Sequence, residues 1–493
     1  MKRRLEIIAM LLLAVACANG QIIVNDSLLR ATSPKMLTEE NNPLVDFMFT
    51  ADPTAVEYQG RLYVYGTNDH EQYLNADRNT YEKIRSLVML STDDMVNWTY
   101  HGTIPTGRIA PWILNSWAPS IISRREDDGK WHFYLYFSNS GDGVGVVTAT
   151  SPVGPWKDVL GKPLIRSGMP ELGECPNPFD PGAVIDEHGQ GWIAFGGGQT
   201  KDSLAWMPGT ARVAKLGKDL TSLEGTVAEI KAPYFFEASE LNYINGTWVY
   251  TYSSNWLPRK VWNHADVERP AICTMPYMTS RTPLRSDSWV YRGDYFRNPG
   301  ETVPPLTNNH THLQRYGGKW YLFHHSMYLE KYFPRQGGFR NMGVEEIELD
   351  EASVTIRRAA ASRTGVRQLK ALNPFLLQQA ETTAATHNIR FEAGDAPGNM
   401  VVCGDGKPGV IRLKGVDFMR IARRFEVLVK GEGRIDARVD APHGPLIASI
   451  DVREKQWKHK RARVSPRITG RHDLYFLFEG KTLRFDNWMF LAE

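Results

Sequence analysis

Cysteine is scarce, with 4 in 493 residues, and one of them, Cys17, falls in a leader-like N-terminus. The other three, Cys175, Cys273 and Cys403, are an odd set without paired-cysteine spacing. That excludes a disulfide framework or a cysteine zinc site as the organising feature. Excess charge of one sign is missing as well. Lys+Arg 58 against Asp+Glu 55 leaves a formal net charge of +3, which gives no electrostatic footprint for nucleic acid. The basic run from Lys458 to Arg463 reads as a solvated face. After the N-terminus no apolar run is long enough to cross a bilayer. No long amphipathic helix pattern is present either.

What the chain does have is aromatics, 11% of residues with 14 Trp and 20 Tyr. These suit both sugar-stacking surfaces and the cores of β-propellers. The first residues, Met1-Lys2-Arg3-Arg4 followed by an apolar Ile7–Ala16 and small residues to Gly20, have the form of a signal peptide over residues 1–20. Ala14-Val15-Ala16-Cys17 is equally an imperfect lipoprotein signal. The expectation is therefore a secreted, periplasmic or Cys17-lipid-anchored protein without a transmembrane segment.

Five segments share one plan: a polar or small head, a short apolar strand, a Gly-containing turn, and an aromatic-rich strand. Their heads are Ala51-Asp52-Pro53, Trp117-Ala118-Pro119, Phe179-Asp180-Pro181, Phe236-Glu237-Ala238 and Asn309-His310-Thr311. They recur roughly 55–75 residues apart, more than the ~40–50 of a compact propeller blade, so four strands with long loops fit. The pattern predicts an all-β chain with a five-bladed β-propeller over residues 40–372. From 373 to 493, alternating strands such as Arg434–Ala441 and Leu446–Val452 predict a β-sandwich of jelly-roll type.

Counted back from the first turn Gly, Asp52, Asp180 and Glu237 fall at matching places, and His310 nearly so. Equivalent positions in a propeller surround one axis, so three acids are expected to face one another across the central mouth. Carboxylates in a sugar-sized cavity suit glycoside hydrolysis, one as general acid, another as base or nucleophile, a third to shift a pKa. Counting does not say which is which. Phe49, Trp117, Phe179 and Phe236 could stack on sugar or simply pack the blades. His310 could hold a water or a metal. No cofactor is required for such chemistry.

On Asn41-Asn42-Pro43-Leu44-Val45, Ala51-Asp52-Pro53, Asn115-Ser116-Trp117-Ala118-Pro119, Phe179-Asp180-Pro181, Tyr234–Ser239 and Asn308-Asn309-His310, the chain resembles glycoside hydrolase family 43. The resemblance implies an inverting five-bladed propeller enzyme with Asp52 as general base, Asp180 as pKa modulator and Glu237, rather than nearby Glu240, as general acid. It also implies a substrate-contacting Arg340. The Asn115–Pro119 and Tyr234–Glu237 runs together with the appended sandwich look most like the arabinoxylan arabinofuranohydrolases, which remove arabinofuranose branches from xylan. A β-xylosidase or an arabinanase is the alternative within the family, and a non-catalytic sugar-binding propeller the alternative outside it. The C-terminal module is similar to carbohydrate-binding module family 6. That implies a possible structural calcium near Gln379, Glu381 and Asn487, and a sugar-stacking aromatic replaced near Val410. Either Trp457 compensates or the module is structural, and weakened or altered sugar binding is the expectation.

Overall fold

The computed structural model describes residues 22–198 and 205–492, so the signal-peptide expectation and Cys17 lie outside the described residues. The chain divides into two compact units. One comprises residues 40–93 and 101–367, the other 22–39, 94–100 and 368–492.

The larger unit is the expected five-bladed propeller. Blade 1 is built from Ala51–Tyr58, Arg61–Thr67, Leu87–Thr92 and Trp98–Ile104, blade 2 from Trp117–Arg125, Trp131–Ser138, Gly143–Ala149 and Lys157–Asp158. Blade 3 is Gly182–Ile185, Gly191–Phe195, Ala211–Leu216 and Leu223–Ile230, and blade 4 Phe235–Ile244, Thr247–Ser254, Met275–Ser280 and Val290–Phe296. Blade 5 has three strands, Thr311–Tyr316, Lys319–Ser326 and Asn341–Ile347. The first two strands of each blade are antiparallel hairpins. In blades 1 and 4 both turn residues, Gln59-Gly60 and Asn245-Gly246, have positive φ, the type I′ geometry that matches strand twist.

Apolar cores lie between neighbouring blades. Tyr65, Leu87, Ile121 and Phe133 join blades 1 and 2. Tyr136, Val146, Ile193 and Phe195 join 2 and 3. Trp192, Val213, Leu241 and Tyr250 join 3 and 4. Inner strands approach closely: a Cβ on Gly182 would lie 2.4 Å from Glu240 Cα, so only glycine fits there. Asn42 and Leu44 supply what the three-stranded blade 5 lacks. Leu44 N–H donates to Met342 O (2.9 Å), Asn42 Nδ2 to Val344 O (3.1 Å), and Val344 N–H to Asn42 Oδ1 (2.9 Å). The asparagine side chain thus acts as a strand residue.

The second unit is the expected β-sandwich, made by one sheet bending over its own core. The strand Arg424–Val439 pairs by its first half with Arg484–Leu491 and by its second with Gly470–Glu479. The bend falls at Gly431, where φ is +97° and a Cβ would lie 2.0 Å from Thr482 O. Val427, Ile435, Phe476, Phe485, Trp488 and Phe490 fill the interior. Among the described residues no helix is long and apolar enough to cross a membrane.

Candidate active site

Four inner strands open with the same distortion. Pairing breaks after Ala51↔Thr67, Trp117↔Ser138 and Glu237↔Ser253, and resumes three residues later. In blade 3, Gly196 N–H donates to Phe179 O at the equivalent point (2.8 Å). The next residue has positive φ each time: Asp52 +48°, Ala118 +40°, Asp180 +49°, Ala238 +59°. A non-glycine residue is strained there and needs outside support. It comes from a side chain of the preceding blade. The amide of Ala118 donates to Thr67 Oγ1 (2.8 Å), that of Asp180 to Ser138 Oγ (2.8 Å), and that of Asp52 to His325 Nδ1 (3.2 Å). The second strand of blade 3 runs into Gly196-Gly197-Gly198, which has no side chain to offer. Asp180 takes its place, its Oδ2 accepting Ala238 N–H at 2.9 Å.

This geometry corrects the register read from the sequence. Asp52 and Asp180 are equivalent, but Glu237 stands one residue earlier, in line with Ala51, Trp117 and Phe179. All three acids nevertheless line one pocket of about 90 Å³, with Trp117, Phe179, His310 and Arg340, and with Tyr81, Ala118 and Asn308. Phe236 does not line it. It neighbours Glu237 on an extended strand, where successive side chains alternate, and its ring lies against Gly198. Phe49 packs with Tyr73, Phe333 and Phe339 instead. Glu240 is buried in an ion pair with His312 Nδ1 (2.6 Å). Tyr81 was not singled out by sequence. It arrives on the connection between the second and third strands of blade 1, with φ +64°, and its carbonyl accepts Trp117 Nε1–H at 3.0 Å.

The electrostatics separate the acids. Asp52 is 4% exposed. Burial alone would raise its pKa, but the guanidinium of Arg340, whose Nη1 donates to Oδ1 at 2.9 Å, holds it well below the ordinary carboxylate range, aided by His325 and His310. Thr67 Oγ1 donates to Oδ2 at 2.7 Å. Burial and the charges of Asp180 and Asp52 push Glu237 up to about 8. Burial and Asp52 push Asp180 up to about 7, against the donors Ala238 N–H and Ser138 Oγ–H. The contact of Glu237 Oε1 with Asn308 Nδ2 is long, 3.4 Å. Burial also holds His310 down to about 4, so it is neutral near pH 7. One ionised carboxylate and one protonated carboxylic acid in the same pocket can perform base- and acid-assisted hydrolysis.

In the second unit Gln379 pairs with Asn487 across neighbouring strands, and Glu381 Oε1 accepts Met400 N–H at 3.1 Å. Among the described residues no three His, Cys, Asp or Glu converge as a metal site. One carboxylate and two amides do not fit a dedicated Ca²⁺ cage of 6–8 oxygens. Val410 is fully buried under Ile22, Leu29 and Met36, so the N-terminal segment occupies the place where the resemblance puts a stacking aromatic. Trp457, 36% exposed, borders a groove of about 1090 Å³ with Glu392, Lys430, Arg453 and Arg484.

Residues 41–350 match the family described as Glycosyl hydrolases family 43. An arabinoxylan arabinofuranohydrolase of Bacillus subtilis (strain 168) is 34% identical over 97% of either chain. One of Paenibacillus polymyxa is 32% identical over 91% of this chain and 74% of that one. The crystal structure of a family 43 arabinoxylan arabinofuranohydrolase from Bacillus subtilis, in complex with cellotetraose, superposes with a TM-score of 0.85 at 33% identity, covering 94% of this chain and 100% of that one.

Proposed function

The chain belongs to glycosyl hydrolases family 43, and we propose that it is an inverting α-L-arabinofuranosidase that removes arabinofuranosyl side chains from arabinoxylan. One observation carries the reading: three carboxyl groups from three blades, two buried and that of Glu237 half-buried, share one small pocket, with Asp52 poised as the ionised member and Glu237 as the protonated one. At about 90 Å³ the pocket is well below the ~300–1,000 Å³ of drug-sized sites. It suits one terminal sugar residue rather than a length of chain. The two similar arabinoxylan arabinofuranohydrolases support the choice of substrate.

In this mechanism Asp52 takes a proton from a water as its oxygen attacks the anomeric carbon. Glu237 gives its proton to the departing glycosidic oxygen. Arabinose leaves with inverted configuration, Asp52 ends protonated and Glu237 ionised, and solvent restores both. Asp180 acts twice: its carboxylate holds the Ala238 amide that fixes the bend beside Glu237, and its charge keeps Glu237 protonated. Trp117 and Phe179 offer faces to the sugar. Arg340 and Thr67 order the base, and His310 lines the pocket beside it. No cofactor takes part.

Export through residues 1–20 belongs to the same reading, ending in release, a periplasmic location or a lipid on Cys17. Metabolic labelling with a radioactive fatty acid separates the lipidated case. The function itself is tested by proton NMR of a digest of arabinoxylan. The first anomeric signal of free arabinose should be the β form. Initial release of the α form, or release of xylose only, would refute the proposal.

A further inference from the structure

Arg340 is held from behind. Asp69 opens the short helix Asp69–Asn75, in the same blade 1 connection that carries Tyr81, and is fully buried. Its Oδ2 accepts Arg340 Nε–H (2.9 Å) and the Arg340 backbone N–H (3.0 Å), while Oδ1 accepts Nη2–H (2.9 Å). Asn79 Nδ2 donates to Asp69 Oδ2 (2.6 Å) and to Gly338 O (3.1 Å). Glu330 Oε1 accepts the backbone N–H of Gly337, Gly338 and Phe339 at 2.7, 2.6 and 2.7 Å, fixing the turn that delivers Arg340. One edge of the guanidinium is therefore filled, and only Nη1 reaches Asp52.

That division matters because a guanidinium is a planar fork that pairs with a carboxylate through two parallel bonds when it can. Without Asp69, both η nitrogens would be drawn onto Asp52. They would cover the oxygen that must take a proton from water. We propose that Asp69 is a positioning residue for the base: it holds Arg340 to a single bond with Asp52, so that the carboxylate stays ionised yet open to water. This rests on the assignment of Asp52 as base. The charged and titratable groups facing Asp52 are Arg340, His325, His310, Asp180, Glu237 and Tyr81. Those facing Asp69 are Arg340 and Tyr81.

The test is Asp69→Asn, which removes one charge and one acceptor from the fork, with Asn79→Ala as a milder change should the first not fold. A misplacement of about 1 Å can cost ~100-fold in rate. The kcat on arabinoxylan should fall about 10–100-fold in Asp69→Asn and about 2–5-fold in Asn79→Ala, with KM within about twofold. No acid limb should enter the pH–rate profile between pH 4 and 7, because Asp52 keeps its cation. Simple loosening would do the reverse, exposing Asp52 and bringing its titration into that range. Carbon-13 NMR of the Asp52 carboxyl, assigned by Asp52→Asn, reads the same point without substrate. Wild-type kcat in both variants, or an Asp52 titration between pH 4 and 7 in either, would overturn the proposal. Failure of the functional reading would show differently, as no turnover by the wild-type protein.

Discussion

Glu237→Gln tests the acid assignment through stability as well as rate, and the two should move in opposite directions. Glu237 is half-buried beside two other carboxyl groups and pushed from 4.5 to about 8. The folded state thus binds a proton that the unfolded chain gives up at lower pH. With more protons on the native side, stability falls as pH rises between those two values. At about 1.36 kcal/mol per pKa unit, the 2.5 units between 4.5 and pH 7 amount to roughly 3 kcal/mol of lost stability. Glutamine has the same shape, can still accept from Asn308, and does not titrate. Its extra N–H, turned to the pocket, offsets about 1 kcal/mol or more of the gain. The variant should therefore melt a few degrees higher than wild type at pH 7 and show no advantage near pH 4.5. Meanwhile the loss of the proton donor should lower kcat on arabinoxylan by about 10²–10⁴, or ~3–5 kcal/mol of barrier. A nitrophenyl arabinofuranoside, whose leaving group departs without protonation, should lose far less. Calorimetry across pH and paired kinetics on both substrates make the measurement. Equal loss on the two substrates, or a melting difference that does not grow with pH, would refute the reasoning.

Asp180→Asn removes a negative charge that holds Glu237 protonated, so the basic limb of the pH–rate profile should move to lower pH. An unmoved limb would leave Asp180 with a purely structural role. Thr67→Val deletes the hydroxyl that donates to Asp52 Oδ2 and accepts from Ala118 N–H. One orphaned buried amide predicts about 1–3 kcal/mol of destabilisation by denaturant titration, together with reduced kcat. Trp457→Ala should weaken retention on insoluble arabinoxylan without changing hydrolysis of a nitrophenyl substrate, since Trp457 borders the groove in the second unit. EDTA should leave the melting temperature unchanged, given the thin donor set at Gln379, Glu381 and Asn487. A fall of several degrees would show that an ion is held there.

The fold was legible because each blade repeats its local chemistry: a turn with glycine, then an aromatic-rich strand that packs between neighbours. Asn42 was visible only through resemblance, because a side chain that replaces strand hydrogen bonds leaves no periodic mark. Tyr81 and Asp69 were not legible. They sit in a connection between strands, where no repeat sets the register and the backbone is fixed by contacts distant in sequence, Asp69 to Arg340 among them. Arg340 came from resemblance alone. Phe236 was over-read: its ring turns against Gly198 instead of into the pocket, and a neighbouring acid in the sequence does not reveal which way a ring turns.

The misplaced register of Glu237 has a cause that can be counted. From the positive-φ residue to the turn glycine there are 8 steps in blade 1, Asp52 to Gly60, and 8 in blade 4, Ala238 to Gly246. In blade 3, Asp180 to Gly189 takes 9. There the hairpin closes at Ile185↔Gly191, against Tyr58↔Arg61 and Ile244↔Thr247, so the turn is longer. Counting back from the glycine therefore aligned Glu237 with Asp180, when Asp180 aligns with Ala238. The single-residue offset bears on the chemistry. A carboxyl at the strained position, as in Asp52 and Asp180, is ringed by donors: Thr67 and Arg340 for one, Ser138 and the Ala238 amide for the other. Glu237, one place earlier, shares the positions of Trp117 and Phe179, which line the pocket and meet few polar partners. The base is set where donors converge and the acid where they do not, and the bend at the head of each inner strand makes that difference.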